Sequence, residues 1–255
     1  MARTNEVKKV CVIGAGVMGA GIAAQAANSG AEVLLLDIVP KAAGKDKASR
    51  NQVAATAIEK LKKQNPAPLM NGAAARRITP GNIEDDLKQA GQCDWVIEAI
   101  VENLDIKQKL YADLERYRRK DTVISSNTST IPLADLTAKM KKNQKAHFFI
   151  THFFNPPRYM RLLEFITSDT TDPKAVEKIR TFADYQLGKT VVDCNDRPGF
   201  IANRIGTYWL HCAVVEALEQ GIDVETADAV LGKPFGFPRT GVFALMDMVG
   251  LDLMP

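Results

Sequence analysis

Short apolar runs alternate with amphipathic stretches along most of the chain. Lys8-Lys9-Val10-Cys11-Val12-Ile13 is an apolar run that stops at Gly14, small residues at helical spacing follow through Ala27, and Glu32-Val33-Leu34-Leu35-Leu36-Asp37 is a second run. That pattern predicts strand, turn, helix, strand. Between residues 41 and 77 the chain is rich in Ala, Lys and Gln, with apolar positions at Val53, Ala57, Leu61 and again at Leu69. The spacing predicts two helices on the outside of a sheet, broken at Pro66 and Pro68. Apolar strands are then predicted at 93–100, 123–127 and 147–154, separated by a helix over 104–117 and a helix started by Pro132. An acid, Glu164, lies on a further strand between Leu163 and Phe165, where it must point to solvent or find a partner. Downstream come a helix over 173–187, a short strand over 190–192 and a long apolar helix from Pro198-Gly199 to about Gly221, with only helical and loop patterns beyond.

Strands alternating with helices imply a mostly parallel sheet covered on both faces. Ligands then collect at the carboxyl ends of the strands. Polar groups interrupt the apolar segments there at Glu102-Asn103, Asn127–Ser129 and His152–Asn155.

The first of these turns carries the strongest local signal. Gly14-Ala15-Gly16-Val17-Met18-Gly19 follows a strand, opens a helix and is answered about 20 residues later by an acid, Asp37, closing the second strand. Gly14 permits the tight turn, Gly16 removes a Cβ that would block a pyrophosphate, and Gly19 lets helix and strand pack closely. Val17 and Met18 complete the loop whose helix N-terminus faces the phosphates. Asp37 is expected on the adenosine ribose hydroxyls, where its charge would repel a 2′-phosphate, and Ile38-Val39-Pro40 offers no arginine to replace it. NAD is therefore favoured over NADP, on a Rossmann-type, doubly wound α/β domain.

Composition narrows the classes. With 255 residues, 46% of them hydrophobic, the chain can bury one large core or two smaller ones. A formal charge of +3 is small for this length, and the basic clusters at 116–120 and 139–145 lie on polar helical stretches or loops, so no nucleic-acid partner is expected. No apolar run reaches the roughly 18 residues of a membrane span, and the first residues lack a secretory apolar segment. A cytoplasmic protein without a membrane partner is expected. The four cysteines, Cys11, Cys93, Cys194 and Cys212, lack metal-ligand spacing and are expected to be reduced structural thiols; no metal site is expected. Lys60, Lys62 and Lys63 admit two readings, a solvated helix face or a contact with the phosphates of a large anionic substrate.

Several segments together carry a resemblance. Val12-Ile13-Gly14-Ala15-Gly16-Val17-Met18-Gly19, Val96-Ile97-Glu98-Ala99-Ile100-Val101-Glu102-Asn103, Ser126-Asn127-Thr128-Ser129, His152-Phe153-Phe154-Asn155-Pro156 and Pro198-Gly199-Phe200-Ile201-Ala202-Asn203-Arg204 follow one another in this order. In them the chain resembles the 3-hydroxyacyl-CoA dehydrogenase family across nearly its whole length. The resemblance implies NAD-dependent oxidation of an L-3-hydroxyacyl-CoA to the 3-ketoacyl-CoA in fatty-acid β-oxidation. His152 is implied as general base, an imidazole with an ordinary pKa of about 6.5 being able to take the C3 hydroxyl proton. Glu164 is implied as the carboxylate that holds the other ring nitrogen. Ser129 and Asn203 resemble the hydroxyl and amide that bracket the substrate oxygen. Asn127 is implied near the nicotinamide and its ribose, and Glu102 and Lys107 near the cofactor. For the last two the alternative is a solvated acid and base. His147 and His211 match no such position.

The resemblance also implies two domains, 1–196 for NAD and 197–255 for an all-helical substrate and dimerisation domain. That helical domain is shorter here than in the family. The wording Phe235-Gly236-Phe237-Pro238-Arg239-Thr240-Gly241 and the ending Leu253-Met254-Pro255 lead to the expectation of a truncated piece of a larger protein, fused in full to an enoyl-CoA hydratase region, with homodimerisation through the helical domain. Two other functions stand beside this one. A β-hydroxyacid dehydrogenase using a lysine on the helix after the sheet is disfavoured, because 198–204 contains no lysine. A non-catalytic NAD-binding relative is disfavoured by the presence of His152, Glu164, Ser129 and Asn203 together.

Overall fold

The apolar run ahead of Gly14 forms β1 (Lys9–Ile13), and all its residues but the first are buried. Burial on both faces accounts for its continuous rather than alternating hydrophobicity. The small-residue stretch forms α1 (Val17–Asn28), whose glycines and alanines from Gly19 to Ala27 are largely buried, so that the helix axis comes close to the sheet. In this computed structural model residues 6–236 and 240–250 are described. Phe237, Pro238, Arg239 and the ending 251–255, on which the expectation of a larger parent protein partly rests, lie outside the described residues.

After α1 come β2 (Glu32–Asp37), the single turn α2 (Lys47–Arg50), α3 (Gln52–Leu61), the single turn α4 (Gly72–Ala75), β3 (Ile78–Asn82) and α5 (Ile83–Ala90). The two helices expected between 41 and 77 are thus α3, with the single turn α2 directly before it, and beyond the prolines only the single turn α4. Lys60, Lys62 and Lys63 are exposed at the end of α3 and just beyond, and Lys62 pairs with Glu59 at 2.5 Å. β4 (Trp95–Glu98), α6 (Leu104–Glu115), β5 (Val123–Ser126), the turns α7 (Leu133–Leu136) and α8 (Lys142–Lys145), β6 (Phe148–Phe153), β7 (Leu162–Ile166), α9 (Pro173–Thr181) and β8 (Thr190–Cys194) complete the first part. The helix expected over 173–187 changes at Phe182 into a π-helical turn.

Among the described residues the strands form a single sheet in the order β3-β2-β1-β4-β5-β6-β7-β8. Every neighbouring pair is parallel except β6 and β7, which run antiparallel. The first six strands have the doubly wound order, with the direction of winding reversing between β1 and β4. The carboxyl ends of β1, β4, β5 and β6 therefore lie on one side of the sheet. Trp95, Phe149, Phe153, Phe165 and Phe182 fill the core beneath them.

The chain divides into two compact units, 1–198 and 199–255. The second, taken by itself, contains α10 (Ala202–Glu219), α11 (Val224–Val230) and α12 (Phe243–Val249). Asp228 in α11 caps α12, its carboxylate accepting from the backbone amides of Val242, Phe243 and Ala244 at 2.6, 2.7 and 3.0 Å. Ile205, Tyr208 and Leu218 on α10 are exposed. No helix among the described residues is long and apolar enough to cross a membrane.

Candidate active site

The glycine turn has the geometry that its sequence implies. Gly14 sits at φ +106°, and a Cβ there would lie 2.4 Å from the carbonyl oxygen of Ala99. A Cβ on Gly19 would lie 1.8 Å from the carbonyl oxygen of Gly14, so helix and loop touch only because that position has no side chain. Gly16 is different: a Cβ there would meet nothing within 4 Å. That open space borders the N-terminus of α1, where Gly16 is the N-cap and no side chain caps the first turn. Amides pointing into an open cradle suit a pyrophosphate. Val17 is exposed at its rim and Met18 half-buried. Asp37, at the end of β2, accepts from the Ala15 amide at 2.5 Å and from the Ile38 amide at 2.6 Å, which holds its carboxylate beside the loop. These residues fit a dinucleotide.

The neighbouring strand end holds a buried ionic cluster. Glu98, the last residue of β4, accepts from Lys107 Nζ at 2.6 Å, Tyr111 Oη at 2.5 Å, Ser126 Oγ at 2.6 Å and the Ile100 amide at 2.8 Å. Lys107 also lies 3.1 Å from Glu102, and its side chain is 1% exposed against 34% for Glu102. The solvated reading therefore fails for Lys107, whereas Glu102 is exposed. Lys107 turns inward to bridge two carboxylates, and Glu102 is the member that reaches the surface. Thr128 Oγ1 donates to Glu102 Oε1, as does Thr130 Oγ1 at 2.9 Å. Burial pushes the Glu102 carboxyl up, but the Lys107 charge and the threonine hydroxyls outweigh it and hold the group below the usual range. Burial and the Glu98 charge push the Tyr111 phenol well above its ordinary value.

Glu98, Tyr111, Thr128 and Thr130 build this cluster, and the sequence motifs assign a role to none of them. Glu98 had a signal of its own. A carboxylate inside the apolar run Val96-Ile97-Glu98-Ala99-Ile100 must find donors, by the same argument that marks Glu164.

The β5 end connects this cluster to the histidine strand. The Asn127 amide donates to the Glu98 carbonyl at 2.7 Å, and Asn127 Oδ1 accepts from the Phe153 amide at 2.9 Å, one residue beyond His152. Ser129 follows on the same loop, half-buried.

His152 and Glu164 are brought together by the antiparallel pairing. In the register of β6 on β7 they are direct partners, and His152 Nδ1 lies 2.8 Å from Glu164 Oε2. Their side chains are 8% and 1% exposed. The Phe154 ring stands 4.5 Å from the imidazole, centroid to centroid. A carboxylate accepting from Nδ1–H sets the tautomer in which Nε2 carries the basic lone pair. Asn203 lies in the first turn of α10 and so belongs to the second unit. Among the described residues no group of three His, Cys, Asp or Glu side chains could hold a metal ion.

Residues 9–197 match the family model described as 3-hydroxyacyl-CoA dehydrogenase, NAD binding domain, and residues 199–255 match that of the C-terminal domain of the same family. The chain is 46% identical over 250 residues to a putative fatty acid oxidation complex trifunctional enzyme of Rickettsia prowazekii, covering 98% of this chain and 34% of the relative. It is 45% identical over 249 residues to a probable 3-hydroxyacyl-CoA dehydrogenase of Deinococcus radiodurans, covering 98% and 71%. The chain thus spans about a third of the length of the first curated relatives that it matches. Among solved structures, (S)-3-hydroxybutyryl-CoA dehydrogenase from Ralstonia eutropha superposes with a TM-score of 0.76 at 30% identity, covering 98% of this chain and 84% of that one. With an NAD-binding Rossmann unit followed by a mainly helical one, the chain belongs to the 3-hydroxyacyl-CoA dehydrogenase family.

Proposed function

We propose that this chain carries out NAD-dependent oxidation of an L-3-hydroxyacyl-CoA to the 3-ketoacyl-CoA, with His152 as general base. The observation that carries the reading is the buried His152–Glu164 pair, 2.8 Å apart at the same end of the sheet as the glycine cradle. NAD⁺, when bound, supplies the hydride acceptor. Gly14, Gly16, Val17, Met18 and Gly19 would hold its pyrophosphate, Asp37 its adenosine ribose, and Glu102 and Asn127 the nicotinamide half, with Lys107 acting from behind Glu102.

His152 Nε2 takes the proton of the C3 hydroxyl as that carbon gives up hydride. Glu164 stabilises the imidazolium that results and keeps the ring from turning. Ser129 donates to the oxygen that becomes the ketone, and Asn203 is the residue that the resemblance names as a second donor. In the reverse direction the imidazolium returns its proton to that oxygen.

Residues 1–196 serve in this reading as the NAD domain and 197–255 as the helical substrate domain. The exposed Ile205, Tyr208 and Leu218 support further association there, including homodimerisation. The name of the Rickettsia relative supports fusion to a further activity, such as an enoyl-CoA hydratase, in a longer chain. The buried thiols of Cys11 and Cys93 fit the expectation of a reducing, cytoplasmic setting.

The test is oxidation of NADH by acetoacetyl-CoA, followed by loss of the reduced nicotinamide absorbance, with His152→Ala run beside it. Turnover that disappears in the variant supports the reading. Wild type that binds NADH without turning over supports the non-catalytic relative instead.

A further inference from the structure

The two strands that carry His152 and Glu164 are joined by residues 154–161, and that connection is fastened from several sides. Lys189, just before β8, directs its ammonium into it. Lys189 Nζ donates to the carbonyl oxygen of Pro157 and, at 2.7 Å, to that of Met160. It also stands 5.6 Å from the centroid of the Phe153 ring, next to His152. Lys189 is 4% exposed, and among the described residues no carboxylate pairs with it. A buried ammonium held only by carbonyls and a ring is costly, and burial lowers its pKa from 10.5 to about 8. An apolar residue would fill the space without that cost.

What the ammonium holds is set directly against the cofactor helix. A Cβ on Gly21 of α1 would lie 2.9 Å from Pro157 Cδ, so the connection rests on the helix backbone. Gln25 of the same helix donates to the Leu187 carbonyl at 2.8 Å, two residues before Lys189. From the other side Arg158 reaches the carbonyls of Ala67 and Leu69 at 2.6 and 3.1 Å. That loop is in turn tied to α1, because Asn28 donates to the Pro68 carbonyl at 2.9 Å and accepts from the Met70 amide at 2.8 Å.

We propose that Lys189 is a positioning residue for the reaction: by gripping the carbonyls of Pro157 and Met160 it fixes the β6–β7 connection against α1, and so sets the His152–Glu164 pair relative to the cofactor. This rests on the dehydrogenase reading above. Small displacements of a reacting group lower the chemical step far more than they lower binding. Lys189 therefore acts on kcat.

The test uses the whole chain with Lys189→Met, and Lys189→Gln as a second variant that keeps N–H donors without the charge. Amide hydrogen exchange over 154–161 reads the anchoring without reference to activity, and is expected to quicken by about tenfold or more while α1 keeps its protection. With acetoacetyl-CoA, kcat is expected to fall roughly 10- to 100-fold with KM held within about twofold. Replacing NADH by NADH deuterated at both C4 positions is expected to give a larger isotope effect in the variants than in wild type, because hydride transfer becomes the slow step. Unchanged exchange over 154–161, or unchanged kcat and isotope effect in a folded variant, would overturn the proposal. Loss of a cooperative melting transition in both variants would also overturn it, making Lys189 a folding residue. If wild type turns over no substrate, the dehydrogenase reading falls and takes the positioning role with it, while faster exchange would still establish the anchor.

Discussion

Lys107 Nζ and Glu98 Oε1 stand 2.6 Å apart with both side chains 1% exposed, which makes this pair the closed end of an ionic cluster that opens to the surface at Glu102. Removing one partner of such a pair leaves a buried charge uncompensated. Lys107→Met is expected to lower stability by about 3 to 5 kcal/mol, read as a lower urea midpoint with an unchanged slope. Glu98 keeps three other donors, so its neutral amide analogue should restore part of the loss. A double variant, Glu98→Gln with Lys107→Met, that is as unstable as the sum of the single losses would show that the two residues are not coupled.

Gly16 and Gly19 are separated by two residues, yet an added methyl group should act on different properties. At Gly16 the new Cβ would meet nothing within 4 Å and φ is −67°, so alanine should change stability by less than about 1 kcal/mol. It would occupy the cradle, and NADH affinity should fall roughly tenfold or more, about 1.4 kcal/mol. At Gly19 the Cβ would lie 1.8 Å from a backbone oxygen, so alanine should cost about 2 kcal/mol or more of stability. Fluorescence titration with NADH beside thermal melting separates the two effects. Normal NADH binding by a folded Gly16→Ala protein would place the pyrophosphate elsewhere.

How far the sequence could be read depended on whether a residue's environment is local. The β1–α1–β2 unit was legible because its strands are continuous apolar runs and its turn needs glycines at particular places. β3 and α5 were not foreseen. Ile78-Thr79-Pro80-Gly81-Asn82 contains two residues that ordinarily break strands, and it is tolerated because β3 is the sheet edge, where a missing amide costs little. Glu164 was legible from its neighbours as an acid in want of a partner and the resemblance names His152 as that partner, while the contact itself comes from the antiparallel register of β7 on β6. The inward turn of Lys107 was illegible for the same reason, since Glu98 lies on another element. Lys189 carried no local signal at all: its partners are carbonyls of Pro157 and Met160, and carbonyls leave no mark in a sequence.

Glu164→Gln preserves size and one acceptor while removing the negative charge. A carboxamide can also present its N–H to Nδ1, which would place the proton on Nε2 and abolish the base. The expected result is a fall in kcat of roughly 10²- to 10⁴-fold with little change in KM, together with unaltered NADH binding. Steady-state rates with acetoacetyl-CoA and NADH, taken beside His152→Ala, check it. Activity near that of wild type would remove Glu164 from the chemistry and leave it as a core residue that happens to pair with histidine.

Lys189 makes stability depend on pH in a direction that can be worked out. Burial lowers its folded-state pKa to about 8, whereas the unfolded chain keeps the proton up to the ordinary value near 10.5. Below pH 8 both states are protonated, and the folded state bears the whole cost of burying the charge. Between about pH 8 and 10 the folded state has released the proton while the unfolded state still binds it, so this residue's contribution to stability rises with pH. Lys189→Met has no group there to titrate. The difference in unfolding free energy between variant and wild type should therefore be constant below pH 8 and move steadily in favour of wild type above it. Urea denaturation of both proteins across pH 7 to 10 measures it. A difference that stays flat through that range would mean that the ammonium is not desolvated, and that water reaches the carbonyls of Pro157 and Met160.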